Sequence, residues 1–357
     1  MASVALFYPV FPRIASCIAV LSWCEAAGLL KQSELDEAGR IVRLAFGTFL
    51  GLPNPLDFMG DRNLMAPRWR STHVKVIAAR AGGRLIGSNV ATRWGSFGFI
   101  GPLTVLPEYW DRGVAQRLLE ATMTIFDRWG VRHTGLFTFP QSAKHVGLYQ
   151  KFGYWPRYLT AIMTRTPEAN PASQAKPAHA PALLSTFTKS QREQAIQACG
   201  KLTHKIDKGL DLAGEIRAVL AQRTGDVVLT YTRGVLDAFA VCLNGPGSEG
   251  GETTCYVKFG AARGGAGAGE RFDKLLDACE AFASTRGATV EAGVNLARED
   301  AYRHSCLGLV ECDYLVGIDQ KVVAFFIPFL VAREARRHRL LNPALEFAQN
   351  RSFENGA

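Results

Sequence analysis

The stretch Leu103–Glu120, LTVLPEYWDRGVAQRLLE, contains residue types that bind an anion. An apolar segment ends at Pro107, a short loop follows, and Gly113-Val114-Ala115 opens an amphipathic helix. Small residues let a ligand approach the backbone closely, and a helix N-terminus offers free N–H groups and a positive dipole end. A pyrophosphate fits such a site, and Arg112 and Arg117 would add charge-assisted contacts. The alternative is a tight turn that needs glycine for its geometry alone.

This loop has neither the G-x-G-x-x-G spacing of dinucleotide-binding folds nor the GK[ST] ending of a P-loop. It resembles the acetyl-CoA motif of the GNAT N-acyltransferases, a strand ending V-x-P followed by Q/R-x-x-G-x-G/A and an amphipathic helix. The six motif positions are Trp110 to Ala115. Gly113 and Ala115 match the pattern, whereas Trp110 replaces Gln or Arg. One donor of the pattern is therefore missing at this position, and Arg112, two residues on, can compensate for it.

A second stretch, from Ser142 to Tyr154, agrees with this resemblance. Ser142-x-x-His145-x-x-x-Tyr149-x-x-x-Gly153-Tyr154 is similar to the N-x-x-A-x-x-x-Y-x-x-x-G-F helix of the family, with Ser142 in place of Asn and His145 in place of Ala. The resemblance covers residues 33–165. It implies a mixed α/β fold with a V-shaped gap between two splayed strands, into which the pantetheine arm of acyl-CoA fits.

The resemblance also implies the cosubstrate, acetyl-CoA, and the residues that bind it. The pantetheine amides would pair with the backbone of one splayed strand, the pyrophosphate would lie on the loop and the first helical turn, and the second helix would contact the arm. The candidate cofactor-binding residues are Leu103, Thr104, Val105, Arg112, Gly113, Val114, Ala115, Gln116 and Ser142.

Tyr149 is the catalytic candidate, because it matches the tyrosine of the family. Acyl transfer needs a neutral amine that attacks the thioester and a donor that protonates the departing thiolate. A tyrosine with a pKa near 10 can protonate a thiolate whose conjugate acid has a pKa near 8.5. The alternative for Tyr149 is an ordinary packed aromatic residue.

No residue is assigned as the general base. The strand before the loop has no carboxylate from Phe97 to Leu106, and a bound phosphate would repel Glu108 and Asp111 in the loop. A chain of water molecules to the solvent is at least as good an interpretation. His145 lies one helical turn before Tyr149, where we favour a structural role.

Local patterns predict the elements that hold these residues in place. Turn and bulge signals are Ala81-Gly82-Gly83, read as a hairpin turn, and Gly101-Pro102, read as a bulge or a splayed edge. The predicted elements are a helix over Ser33–Phe49 with Ser33 as N-cap, strands over Val74–Ala79, Arg84–Trp94, Gly98–Leu106, Gly135–Phe139 and Trp155–Thr164, and helices over Ala115–Trp129 and Ser142–Phe152.

The second half of the chain repeats this order at an offset of about 150 residues, which suggests an internal duplication. Its predicted elements are a hairpin over 226–242, a strand over Cys255–Gly260, a helix with apolar residues from Phe272 to Phe282, a strand over Thr289–Gly293 and a helix over Ala297–Leu307. Aligning 262–267 with 110–115 places Gly265 on Gly113, but the loop is longer and lacks the preceding proline. Either Tyr302 or His304 takes the place of Tyr149. We interpret this half as a degenerate copy without a working cofactor site.

These patterns predict an α/β protein with a mixed sheet, organised as two tandem GNAT-like domains. A segment rich in proline and alanine would join them as a semi-extended linker. The predicted divisions are an N-terminal extension (1–32), a GNAT domain (33–165), the linker (166–184), a degenerate GNAT-like domain (185–320) and a C-terminal tail (321–357).

Composition narrows the class of protein further. The net charge is +9 over 357 residues, but no stripe of alternating aromatic and basic residues is present, so we expect no nucleic-acid partner. None of the eight cysteines lies in a C-x-x-C pair, which argues against a metal site and a disulfide framework and favours the cytoplasm. The apolar runs Ile14–Trp23 and Val322–Val331 have about half the length of a membrane span.

Two functions follow from this sequence. The first is an N-acyltransferase that moves an acetyl group from acetyl-CoA to a primary amine, on a small molecule, a peptide N-terminus or a lysine. The alternative is a non-catalytic acyl-CoA-binding or regulatory protein, motivated by the unassigned base and the degenerate second half. The sequence does not indicate the oligomeric state.

Overall fold

The computed structural model describes residues 27–166, 181–296, 310–319 and 329–331. Most of the predicted N-terminal extension, linker and C-terminal tail lies outside the described residues, as does the predicted helix Ala297–Leu307. In the described part of the chain, every helix is too short or too polar to cross a membrane.

The N-terminal half follows the predicted order of elements. Its strands are β1 (Gly28–Leu29), β2 (Val74–Ala81), β3 (Arg84–Trp94), β4 (Phe97–Val105), β5 (His133–Thr138) and β6 (Trp155–Arg165), and its helices are α1 (Leu35–Phe49), α2 (Ala66–Trp69), α3 (Val114–Trp129) and α4 (Ala143–Gln150). Gly82 and Gly83 form the β2–β3 turn with φ of 54° and 78°, the left-handed conformation that such a hairpin turn requires.

The predicted start of α1 is wrong in detail. Ser33 lies inside a 3-10 turn, Gln32–Glu34, and α1 begins at Leu35. The carboxylate of Glu34 accepts the backbone N–H of Lys31 at 2.7 Å and two N–H groups of Arg80 at 2.6 and 2.7 Å. Glu34 therefore organises this end, and the hydroxyl of Ser33 is not needed as a cap.

The C-terminal half contains the predicted hairpin, strand, helix and strand, together with two helices that the sequence analysis missed. Its elements are β7 (Ala182–Leu183), α5 (Lys189–Ile206), α6 (Ala213–Gln222), β8 (Gly225–Thr232), β9 (Val235–Gly245), β10 (Gly251–Ala262), α7 (Ala268–Ser284), β11 (Thr289–Asn295), β12 (Val310–Asp319) and β13 (Phe329–Val331). A signal for α5 was present, since Thr188 and Gln191 form a reciprocal capping box.

One continuous sheet joins the two halves. The strand order is β1-β2-β3-β4-β5-β12-β6-β11-β10-β9-β8-β7, and β13 pairs with β10. One strand of each half crosses over: β6 pairs with β11 of the C-terminal half, and β12 pairs with β5 of the N-terminal half. Strands of the two halves therefore alternate in the middle of the sheet.

The parallel strands β4 and β5 separate part of the way along their length. They pair from Phe97 with His133 to Ile100 with Leu136. The antiparallel register between β3 and β4 shifts between Ile100 and Leu103, so the bulge predicted at Gly101-Pro102 is present. Beyond the bulge, β3 is the one partner of β4 among the described residues, which leaves a gap on the side of β5.

Candidate active site

The edge of β4 that faces the gap carries main-chain groups of Leu103 and Val105. The N–H of Leu106 donates to the carbonyl oxygen of Ile86 in β3, at 2.9 Å. Since main-chain groups alternate in direction along a strand, Thr104 also faces β3, whereas Leu103 and Val105 face away from it. Of the predicted residues 103–105, Leu103 and Val105 therefore line the gap with their main-chain groups.

The loop after β4 leads into α3, and the N-terminus of this helix is accessible to a ligand. Pro107–Tyr109 forms a 3-10 turn, and Gly113, with φ of 77°, directly precedes Val114 at the start of α3. Within the described part of the chain, no atom lies within 4 Å of the position that a Cβ on Gly113 would take, apart from its neighbours in sequence. The first N–H groups of α3 are therefore accessible to an anion.

Trp110, which replaces the usual Gln or Arg, makes a hydrogen bond inside the gap. Its indole Nε1–H donates to the carbonyl oxygen of Val105 at 2.8 Å. This bond fixes the loop against the edge of β4. It also engages an acceptor that the gap would otherwise offer to a ligand, and leaves the N–H of Val105 facing the gap.

Lys144, which the sequence analysis did not single out, lies next to the loop. Its Nζ is 2.7 Å from a carboxylate oxygen of Asp111 and 5.7 Å from the centre of the Trp110 ring. Asp111 lies in the loop after β4 and Lys144 in the first turn of α4, so the pair joins the segments that follow the two strands bordering the gap. Lys144 balances the negative charge of Asp111, which would otherwise oppose a phosphate.

The other predicted loop residues lie at the start of α3. Arg112 is exposed, and its guanidinium is 5.5 Å from the centre of the Tyr109 ring. Val114 turns its side chain into the core, so only its backbone is available to a ligand. Gln116 is exposed and its amide donates to Glu120 at 3.0 Å.

The helix that carries Tyr149 begins at Ala143, the fifth residue after the end of β5. Ser142 caps it, since its hydroxyl accepts the N–H of His145 at 3.4 Å. Tyr149 is 7% exposed, and among the described residues none makes a hydrogen bond with its hydroxyl. Burial raises the pKa of Tyr149 above its ordinary value of 10, so the hydroxyl keeps its proton at any working pH.

Aromatic rings surround the other side of α4. The ring of Phe49 lies 4.8 Å from that of His145 and 5.0 Å from that of Phe139. Burial, assisted by the charge of Lys144, lowers the pKa of His145, so the imidazole is neutral at pH 7. This packing agrees with a structural role for His145.

The equivalent loop in the C-terminal half is closed by its own side chains. Gly267, with φ of 74°, directly precedes α7 as Gly113 precedes α3, so the alignment that placed Gly265 on Gly113 is wrong by two residues. A Cβ on Gly267 would lie 3.3 Å from Arg271 and 3.9 Å from the carboxylate of Glu270. The guanidinium of Arg271 donates to the carbonyl oxygens of Arg263 and Gly264, each at 2.8 Å.

This closed loop is unsuited to a pyrophosphate for two reasons. Glu270 places a carboxylate in the first turn of α7, where α3 has the neutral amide of Gln116. In addition, β13 pairs with Gly260–Ala262 of β10, just before the loop, at the edge where a pantetheine arm would pair. Both features support the interpretation of a degenerate copy.

Comparison with known proteins finds a family match for part of the chain. Residues 51–154 match the model of the Acetyltransferase (GNAT) family, in agreement with the resemblance of the two motifs. The match includes the loop at Gly113 and the helix of Tyr149. No curated protein matches this chain.

Solved structures with the same fold cover both halves of the chain. A proposed acetyltransferase from Pyrococcus horikoshii is 13% identical, with a TM-score of 0.58, over 87% of this chain and 93% of its own. A GCN5-related N-acetyltransferase from Sphaerobacter thermophilus is 12% identical, with a TM-score of 0.50, over 83% of this chain and 95% of its own. At these identities the likeness shows the fold alone.

Proposed function

We propose that this protein transfers an acetyl group from acetyl-CoA to a primary amine, and that the N-terminal half carries out the reaction. The observation that carries the proposal is the open helix N-terminus at Gly113, beside the gap between β4 and β5. A pyrophosphate would lie on the N–H groups of Gly113 to Gln116, with Arg112 in reach. The pantetheine amides would pair with Leu103 and Val105 in the gap.

In the proposed reaction the amine nitrogen attacks the thioester carbonyl carbon directly. The C–S bond breaks, Tyr149 gives its proton to the departing sulfur, the amine loses its proton to water, and the phenolate of Tyr149 then regains a proton from water. Because burial raises the pKa of Tyr149, its hydroxyl is protonated at the start of every turnover, while the same shift makes it a weaker acid toward the departing thiolate. Ser142 caps the N-terminus of α4 and thereby helps to fix the orientation of the helix that carries Tyr149.

The experiment that tests this function is a screen of primary amines with acetyl-CoA, in which thiol release and the acetylated product are both measured. The library should contain small amines, peptides with free N-termini and peptides with internal lysines. Thiol release that depends on an amine, with a mass increase of one acetyl group in that amine, is the expected result. Binding of acetyl-CoA without amine-dependent thiol release across the library would instead support a non-catalytic acyl-CoA-binding protein.

A further inference from the structure

Arg68 contacts the point at which β4 leaves β5. Its Nη1 donates to the carbonyl oxygen of Gly101 at 2.6 Å, and Gly101 is the first residue after the last β4–β5 pair, Ile100 with Leu136. Gly101 has a φ of 119°, and Pro102 after it has no N–H to donate. Arg68 is therefore a fixed partner of the bulge from which the gap opens.

A residue of the C-terminal half holds Arg68 in this position. Glu249, in the turn between β9 and β10, accepts from Nε and Nη2 of Arg68 at 2.9 and 2.6 Å. The side chains of Arg68 and Glu249 are 13% and 2% exposed. A two-bond guanidinium–carboxylate pair away from water has a defined geometry, so the position of Glu249 determines that of the Arg68 guanidinium.

The contact extends through a buried network of charges. Lys258 lies 2.7 Å from Glu249 and 2.8 Å from Glu215, and Glu215 accepts from the indole of Trp94 at 3.1 Å. His73 lies 2.9 Å from Glu215. Burial alone would raise the pKa of Glu249, but Arg68 and Lys258 outweigh it and the pKa is lowered. Both carboxylates are thus charged, and they balance Arg68 and Lys258.

We infer that Arg68 is a positioning residue for acyl-CoA, through which the C-terminal half fixes the shape of the gap in the N-terminal half. The inference rests on the proposed function, because it concerns the same gap. It gives the degenerate half a role in the reaction that requires no cofactor of its own: Glu249 holds Arg68, and Arg68 holds the bulge at Gly101.

The alternative is that the Arg68–Glu249 pair only fastens the two halves together. The chain offers a matched control for this alternative. Arg62 forms a two-bond pair with Glu291, with both distances at 2.8 Å, and also donates to Thr254 at 3.0 Å. This pair likewise joins the two halves, but the partners of its guanidinium lie in β10 and β11.

The test compares conservative variants of both pairs in the full chain. Arg68→Lys keeps the positive charge beside Glu249 but is too short to hold both Glu249 and Gly101. Glu249→Gln keeps the shape and weakens the hold on Arg68. The controls are Arg62→Lys and Glu291→Gln. The dissociation constant for CoA is measured by calorimetry, and Tm is measured for each variant.

We expect Arg68→Lys and Glu249→Gln to bind CoA about tenfold more weakly than the wild type, equivalent to ~1.4 kcal/mol. The affinity of the two control variants for CoA should stay within about twofold of the wild-type value, although their Tm should fall by as much as that of Arg68→Lys and Glu249→Gln. Wild-type affinity for CoA in a folded Arg68→Lys variant would overturn this inference and leave the proposed function standing. An equal loss of CoA affinity in the control variants would have the same consequence. Should Arg68→Lys fail to fold, the CoA affinities of Glu249→Gln and Glu291→Gln provide the test. Weaker binding in Glu249→Gln alone supports the inference, and equal affinities overturn it. A wild-type chain that does not bind CoA would overturn the proposed function and this inference together.

Discussion

Gly113 and Gly267 occupy equivalent positions in the two halves of the chain, with φ of 77° and 74° directly before α3 and α7. Their surroundings differ. The space beside Gly113 is open among the described residues, whereas Arg271 and Glu270 lie over Gly267. The same backbone turn therefore supports an accessible site in one half and a closed loop in the other.

Tyr149→Phe should lower kcat by about 10²–10⁴-fold, the usual contribution of a general acid. The affinity for acetyl-CoA should change little, because the ring and its packing are kept. The free energy of unfolding should change by less than about 1 kcal/mol, since the hydroxyl makes no hydrogen bond with the described residues. Steady-state kinetics, calorimetry and urea unfolding measure the three quantities. Wild-type kcat, with chemistry shown to be rate-limiting, would refute the assignment.

The pH dependence of kcat/KM should show no decline below pH 10 caused by Tyr149. Burial raises the pKa of this tyrosine, so its hydroxyl stays protonated beyond its ordinary value of 10. The rate should instead rise with pH as the acceptor amine loses its proton. A decline centred between pH 8 and 10 that disappears in Tyr149→Phe would contradict this account.

Lys144→Met should weaken the binding of CoA by about tenfold, because it leaves the carboxylate of Asp111 unbalanced beside the phosphate site. Asp111→Asn in the same chain should restore the affinity, and asparagine tolerates the left-handed backbone of this position, φ 60°. Calorimetry on the two single variants and the double variant measures the coupling. A double variant as weak as Lys144→Met would show that Lys144 contacts the ligand itself.

Acid should weaken the network that joins the two halves. The pKa values of Glu249 and Glu215 are both lowered in the folded protein, by the nearby Arg68, Lys258 and His73 acting against burial. Their stabilisation is complete above the ordinary pKa of 4.5 and is lost as the pH falls through the folded-state values. The difference in unfolding free energy between the wild type and Glu249→Gln should therefore narrow below pH 4.5. A constant difference from pH 7 to pH 3 would contradict the charged state of Glu249.

Much of the N-terminal half could be predicted because its signals are local. Gly82 and Gly83 indicate a hairpin turn, because such a turn requires the left-handed backbone conformation that glycine adopts readily. Gly101-Pro102 indicates a bulge, because proline cannot donate a hydrogen bond to a neighbouring strand. Gly113 indicates the start of α3, because the residue directly before this helix has a left-handed backbone conformation. Each of these features depends on a few neighbouring residues, so the sequence is sufficient to indicate it.

The contacts between the halves could not be predicted in this way. Arg68 and Glu249 are 181 residues apart, and nothing near either residue indicates the other. The exchange of β6 and β12 likewise depends on pairing between distant strands. Gly265 was aligned with Gly113 on residue type, but the longer loop moves the equivalent position to Gly267.

A calorimetric titration with acetyl-CoA, on the wild type and two matched glycine variants, tests the central claim most directly. Gly113→Asp and Gly267→Asp impose the same left-handed strain, but only the first places a carboxylate in an open phosphate site. We predict one acetyl-CoA per chain in the wild type and in Gly267→Asp, and no measurable binding in a folded Gly113→Asp. Unchanged affinity in Gly113→Asp, or loss of binding only in Gly267→Asp, would contradict the assignment of the site to the N-terminal half.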